Sequence, residues 1–184
     1  MSKALVKGSL SDTANGRTLA ESFLSADAIL IVDMSGSMAC HDAPGGLARW
    51  DAAENELTRL QRENPGKLAV IAFSGTVEFC PTGIPPHLGG GTDMAAALRF
   101  VKPADGTGVK FILISDGEPD DKMAVLNVAH SFESKIDTVY IGPEGGRGVS
   151  FLAQLAKEAG GMAATSTAPG MFGDNVTLLL RATA

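Results

Sequence analysis

The sequence predicts an α/β protein built on a doubly wound, Rossmann-like, mostly parallel sheet, with one antiparallel edge strand and helices on both faces. Three observations carry this. Apolar runs of strand length, Ala28 to Val32, Leu68 to Phe73, Val109 to Ser115 and Thr138 to Ile141, are nearly continuous, as strands covered on both faces must be. Stripes of apolar residues at helical spacing lie between them and place helices over the sheet. One junction breaks the alternation: Ser74-Gly75-Thr76, between Phe73 and Val77-Glu78-Phe79-Cys80, is too short for a crossover helix, so these two runs form a hairpin.

Taken in order, residues 1–26 read as an N-terminal extension packed on or leading into the domain. Gly8 and Asn15-Gly16 there suggest loops and one short strand. The domain proper is expected over 27–184. After the first strand, Cys40-His41-Asp42-Ala43-Pro44-Gly45-Gly46 reads as a solvated loop, then Trp50, Ala53, Leu57 and Leu60 mark the first covering helix. Pro81 to Leu88 carries the chain from the edge strand back to the other end of the sheet, its prolines stiffening the crossing and His87 structural. Met94, Ala97, Leu98 and Val101 form the next helical stripe, followed by Val125, Val128, Ala129 and Phe132. Leu152, Leu155, Ala156 and Ala159, and finally Phe172, Val176, Leu179 and Leu180, complete the set.

Composition narrows the function. At 184 residues, 45% hydrophobic and 20% charged, the chain supports one good core. A net charge of −6 with no Lys/Arg cluster excludes a nucleic-acid backbone as the expected partner. No run approaches the length of a membrane span or a signal core, so no membrane partner and a cytoplasmic setting are expected. Cys40 and Cys80 fit neither a disulfide scaffold nor a zinc-ligand spacing, and the hairpin puts them at opposite ends of the sheet, so both are expected to be free thiols.

In an open parallel sheet, ligands gather at the carboxyl ends of the strands. Three loops there carry hard oxygen donors. Asp33-Met34-Ser35-Gly36-Ser37 follows the first strand with a carboxylate and two hydroxyls at alternate positions. Gly89-Gly90-Gly91-Thr92-Asp93 lets backbone approach closely and sets Thr92 at a helix start. Ser115-Asp116-Gly117-Glu118-Pro119 follows another strand, with Pro119 expected to open a helix. Singly, Ser35, Ser37, Thr92 and Asp116 read equally well as caps or turn residues, whereas three strand-end loops aimed at one crevice point to a divalent cation.

This succession of Asp-x-Ser-x-Ser, Gly-Gly-Thr and Ser-Asp-Gly-Glu-Pro resembles a von Willebrand factor A domain with a complete metal-ion-dependent adhesion site, from about Asp27 to Leu180. The Ile141-Gly142-Pro143 turn and the stretch Phe151 to Ala156 leading to Gly160-Gly161 resemble the family's fifth strand and following helix. The resemblance implies that Ser35 and Ser37 bind a metal through their hydroxyls, Thr92 directly or through water, and that Asp33 and Asp116 hold coordinating waters or the metal itself. Met34, Gly36, Met38, Gly91, Gly117 and Glu118 would then form the ligand-binding surface around it. Few first-shell protein ligands and retained waters suit Mg2+, with Mn2+ or Ca2+ as alternatives.

A cation only partly neutralised by such a set seeks an anionic oxygen, so the expected function is a metal-dependent protein-protein interaction module that captures a partner's Asp or Glu carboxylate. The resemblance further implies an intracellular adaptor or accessory subunit, its partner an AAA+ ATPase or a stress-response operon component. In adhesion-type members, ligand capture is coupled to a shift of the last helix, here Phe172 to Leu180. Catalysis is not expected. A Ser35/His41/Asp116 hydrolase lacks the Gly-x-Ser-x-Gly elbow, Ser35 replaces the second carboxylate of a haloacid-dehalogenase-type phosphatase, and no phosphate-binding Gly-rich loop with Lys is present. The alternative binding role is a scaffold that docks partners on its helix faces around a purely structural metal site.

Overall fold

The computed structural model describes residues 5–43, 45–167 and 171–182. Pro44, the segment 168–170 and both termini, which the predicted loop, domain and extension include, lie outside the described residues. Strands β1 (Ala28–Asp33), β2 (Leu68–Phe73), β3 (Val77–Phe79), β4 (Lys110–Ser115), β5 (Ile136–Ile141) and β6 (Ala163–Ser166) form one sheet in the order β3-β2-β1-β4-β5-β6. Every pairing is parallel except β2 with β3, where Ile71 faces Phe79 and Phe73 faces Val77. The predicted sheet, hairpin and antiparallel edge are therefore present.

The apolar runs give this result because a strand buried on both faces splits its side chains between two cores. Ile29, Ile31, Ile71, Phe73, Phe111 and Leu113 point to the face covered by α3 (Met94–Val101), α4 (Lys122–Ala129) and α5 (Gly148–Glu158). Leu30, Val32, Val70, Ala72, Ile112 and Ile114 point to the opposite face, beneath α2 (Arg49–Glu63) and α6 (Met171–Arg181). Ala53, Leu57 and Leu60 of α2 and Phe172, Val176 and Leu179 of α6 supply the predicted stripes and are buried there.

Three details differ from expectation. Among the described residues 5–26 there is no strand; the segment forms turns and a short helix, α1 (Leu19–Leu24), whose Thr18 and Glu21 make a reciprocal capping box. Six residues with only Leu19, Phe23 and Leu24 as large apolar groups are too few to show a period. Phe23 nevertheless packs edge-on against Phe79, and Val6 and Ser11 donate their backbone N–H groups to Thr82 and Pro81 carbonyls, so this segment lies on the domain. Strand β6 was not legible, because Ala163-Ala164-Thr165-Ser166 is weakly apolar and largely unburied. Phe132 packs past the end of α4, not within it.

The amino end of the sheet is tied to α6 by Lys110, whose ammonium donates to the carbonyls of Leu180 (2.6 Å), Leu179 and Ala182 at the end of that helix. At the carboxyl end, the chain turns one way from β1 to β2 and the other way to β4, leaving a crevice between β1 and β4.

Candidate cation site

Asp33 is the last residue of β1 and is fully buried. A carboxylate there must find donors, and it accepts from the Ser35 backbone N–H at 2.8 Å and the Ser115 hydroxyl at 2.6 Å. Burial nevertheless pushes its pKa up to about 6, with the nearby Asp116 charge adding to the rise and the hydrogen bonds from Ser115 and Ser35 opposing it. The chain then turns into a short 3-10 helix, Gly36–Ala39, and brings the Ser35 and Ser37 hydroxyls side by side at 3.2 Å.

The loop 89–93 is fastened onto this turn by backbone: Gly36 N–H donates to the Gly90 carbonyl at 3.0 Å and Gly89 N–H to the Met34 carbonyl at 2.9 Å. Thr92 is buried beside it. Thr92 stands just before α3, as expected, and the cap is the next residue, Asp93, whose side chain accepts from Ala96 N–H at 2.9 Å. Thr92 itself is gripped by Asp120, whose carboxylate accepts the Thr92 N–H at 3.0 Å while the Asp120 N–H donates to the Thr92 carbonyl. A Cβ on Gly91 would stand 2.6 Å from that carboxylate, which accounts for glycine there.

Asp116 follows β4, in the third loop. Pro119 does not open α4; the helix begins at Lys122 with Asp121 as its cap, and the intervening residues reach across to Thr92. Gly117 has φ +87° and packs on Gly148, which a Cβ would forbid, and so the start of α5 closes against the Asp116 backbone.

The structure thus gathers Asp33, Ser35, Ser37 and Asp116 at one crevice with Thr92 in the adjoining loop. Around them, Gly36, Gly91 and Glu118 are exposed and Gly117 is buried. Met34 and Met38 are corrected: both are fully buried in the core under α2 and α6, Met34 directly after β1 and Met38 on the inner side of the short 3-10 helix. They support the loop from below and do not form a ligand surface.

Four participants were not singled out in sequence. Arg49, the first residue of α2, donates Nη1 to Asp116 at 2.5 Å, and its Nε and Nη2 clasp Asp42 at 2.7 Å each. Hydrogen bonding to Asp42, then the charges of Asp116 and Asp42, raise the Arg49 pKa against the opposing effect of burial, and Arg49 in turn lowers that of Asp42. The Cys40–Asp42 loop is therefore tied to the site and not merely solvated. Ser115 and Asp120 are the others, together with Tyr140, whose hydroxyl donates to the Pro143 carbonyl. The available signal for Arg49 was charge balance, since two strand-end carboxylates converging in a crevice require a counter-charge. Ser37, Arg49, Asp116, Tyr140 and Arg147 line a cleft of about 280 Å³ beside the site.

The donor set is compatible with a hard divalent cation. Neighbouring ligands around Mg2+ at its usual bond length lie about 3 Å apart, close to the Ser35–Ser37 hydroxyl separation. Among the described residues, no three His, Cys, Asp or Glu side chains gather to hold a metal, so any cation here depends on these hydroxyls. Cys40 is exposed and Cys80 buried, its thiol donating to the Glu78 carbonyl, and the two are not joined in a disulfide. His41 is exposed, and His87 stacks flat on Trp50 with ring centroids 4.1 Å apart.

No protein-family model and no curated protein matches the sequence. The fold is similar to that of an aerotolerance-related membrane protein from Bacteroides fragilis NCTC 9343, with a TM-score of 0.65 at 16% identity, covering 84% of this chain and 98% of that one. It is also similar to the conserved hypothetical protein BatB from Bacteroides thetaiotaomicron, with a TM-score of 0.60 at 17% identity, covering 84% and 97%. At these identities the likeness speaks to the fold alone. No helix among the described residues here is long and apolar enough to cross a membrane.

Proposed function

We propose that this protein is a metal-dependent interaction module, without catalytic activity of its own, that captures an acidic side chain of a partner protein. The observation that carries the reading is the pair of Ser35 and Ser37 hydroxyls, 3.2 Å apart and flanked by Asp33 and Asp116 at the crevice where the sheet's connections diverge. A divalent cation held there, with Mg2+ favoured by the hard oxygen donors, would supply an open coordination position to a carboxylate.

The residues of this chain divide the remaining work. Ser35 and Ser37 offer neutral oxygens at the mouth, and Ser37 is exposed to an incoming group. Asp33 contributes charge from beneath, its orientation fixed by Ser115 and by the Ser35 N–H. Asp120 fixes the backbone at Thr92. The partner of this reading presents Asp or Glu, and a cytoplasmic AAA+ ATPase or stress-response component is the kind the family resemblance suggests.

Calorimetric titration with Mg2+ tests the site. The unaltered protein is expected to bind, and Asp33→Ala and Ser35→Ala are expected to lose binding while keeping a cooperative thermal transition. Retained affinity in either variant would reject the assignment. Capture of partner proteins with and without chelator tests the function, and chelator-insensitive capture would leave only a docking role for the helix faces.

A further inference from the structure

We infer that Arg49 sets the affinity of the candidate cation site: it is a built-in counter-ion for Asp116, and a divalent cation binds only by prevailing over its charge. The inference rests on the cation reading above. Its observations are geometric. The Arg49 side chain is 12% exposed and the Asp116 side chain 6%, and their 2.5 Å contact joins the start of α2 to the loop after β4. Without Arg49, Asp116 would stand buried close to Asp33, a second buried carboxylate whose own hydrogen-bond donors are neutral.

Arg49 cannot easily leave, because all three guanidinium nitrogens are engaged. Nε and Nη2 form a two-pronged clasp on Asp42, and Nη1 is directed at Asp116. The clasp holds the positive charge at the mouth of the site. Two effects on an arriving cation then oppose each other. Arg49 orients the Asp116 carboxylate, which favours binding, and it repels a doubly charged ion at short range, which disfavours it. Orientation has other support, since the Asp116 backbone is already packed against Gly148 and the preceding Ser115 is held through its hydroxyl by Asp33 and Gly117. Repulsion has no such substitute. In a partly buried cleft it is worth roughly tenfold or more in affinity, and it therefore wins.

Asp42 has the opposite sign. It neutralises part of the Arg49 charge, so its loss leaves Arg49 more strongly positive beside the site. The loop from Cys40 to Asp42, which contributes no ligand of the resemblance, thereby gains a role in tuning the site.

The test is Mg2+ calorimetry on the intact chain, paired with thermal melting in chelator. Arg49→Met is expected to bind Mg2+ about tenfold tighter or better, and to melt lower in chelator because Asp116 loses its partner. Arg49→Lys keeps the charge and is expected to bind within a few-fold of the unaltered protein. Asp42→Asn, on the surface and so safe for folding, is expected to bind several-fold more weakly. If the unaltered protein binds Mg2+ and Arg49→Met binds equally or more weakly, the counter-ion role is overturned and the cation reading survives. Binding by Arg49→Met alone supports the role strongly. If neither protein binds, both are overturned.

Discussion

At the amino end of the sheet, Asp105 accepts from the Lys102 ammonium at 2.6 Å and from the backbone N–H groups of Glu133 and Ser134 at 2.8 and 2.9 Å. At the carboxyl end, Asp33 accepts only from neutral donors, the Ser115 hydroxyl and the Ser35 N–H. Both carboxylates are buried, yet they are perturbed in opposite directions. Burial raises the pKa of Asp105, but the Lys102 pairing and the two N–H groups outweigh it and hold the carboxyl well below the usual range. Burial prevails at Asp33, which is pushed up to about 6. The first carboxylate fastens two loops together and is saturated by the protein. The second is satisfied by neutral donors alone, with no positive charge among its hydrogen-bond partners.

The signs follow from linkage. Asp105, with its folded pKa depressed, contributes stability that is present above about pH 4 and lost as pH falls. Asp33, with its folded pKa raised, contributes stability that is present below about pH 4 and lost as pH rises through about 6 in cation-free protein. Replacing each residue should therefore break the contrast in its own direction.

The largest expected effect is Asp105→Ala, which removes the ion pair to Lys102 and leaves the Glu133 and Ser134 N–H groups without their acceptor, and should cost about 2–4 kcal/mol at pH 7 by urea unfolding. The cost should shrink in acid and leave Mg2+ binding untouched. A loss below about 1 kcal/mol would show that the amino-end carboxylate is no anchor. Next is Asp33→Asn, expected to raise the melting temperature in chelator at pH 7, by about 1–2 kcal/mol of stability, and to do so much less at pH 5. A variant that is less stable than the parent at pH 7 would place Asp33 among the structural carboxylates. The smallest is His87→Ala, at a residue that belongs to the hydrogen-bond set of neither carboxylate. It removes the ring stacked on Trp50 and should cost under about 1 kcal/mol. Because Trp50 is the single tryptophan, its emission should shift, and an unchanged spectrum would deny the stack in solution.

The same contrast explains what could be read in advance. The strands of the core, the hairpin and the long amphipathic helices were legible because burial on two faces or along one stripe imposes a period on the sequence, as in Ala28 to Val32 or in Ala53, Leu57 and Leu60. Helix α1 and strand β6 carry no such period, being short, marginal in apolar content and defined by what they lean on. At the site, residue type and spacing brought forward the oxygen donors of three loops. Arg49, Ser115 and Asp120 escaped because their roles arise from contacts between residues far apart in the chain, 67 positions for Arg49 with Asp116, 82 for Ser115 with Asp33 and 28 for Asp120 with Thr92. Met34 and Met38 were misplaced for the converse reason, since adjacency in sequence to a site says nothing about which way a tight turn points its side chains.

Lys110 bears on how the last helix could ever respond to an event at the far end of the sheet. Its ammonium moors the terminal carbonyls of α6 to the first residue of β4, while the leading end is held by the burial of Phe172 and Val176 and by the Asn175 amide, which donates to the Thr165 carbonyl. A slide of one helical turn, about 5.4 Å, would tear all three Lys110 contacts at once. Any displacement of the helix must therefore release either this mooring or the packing of Phe172 and Val176 at its leading end.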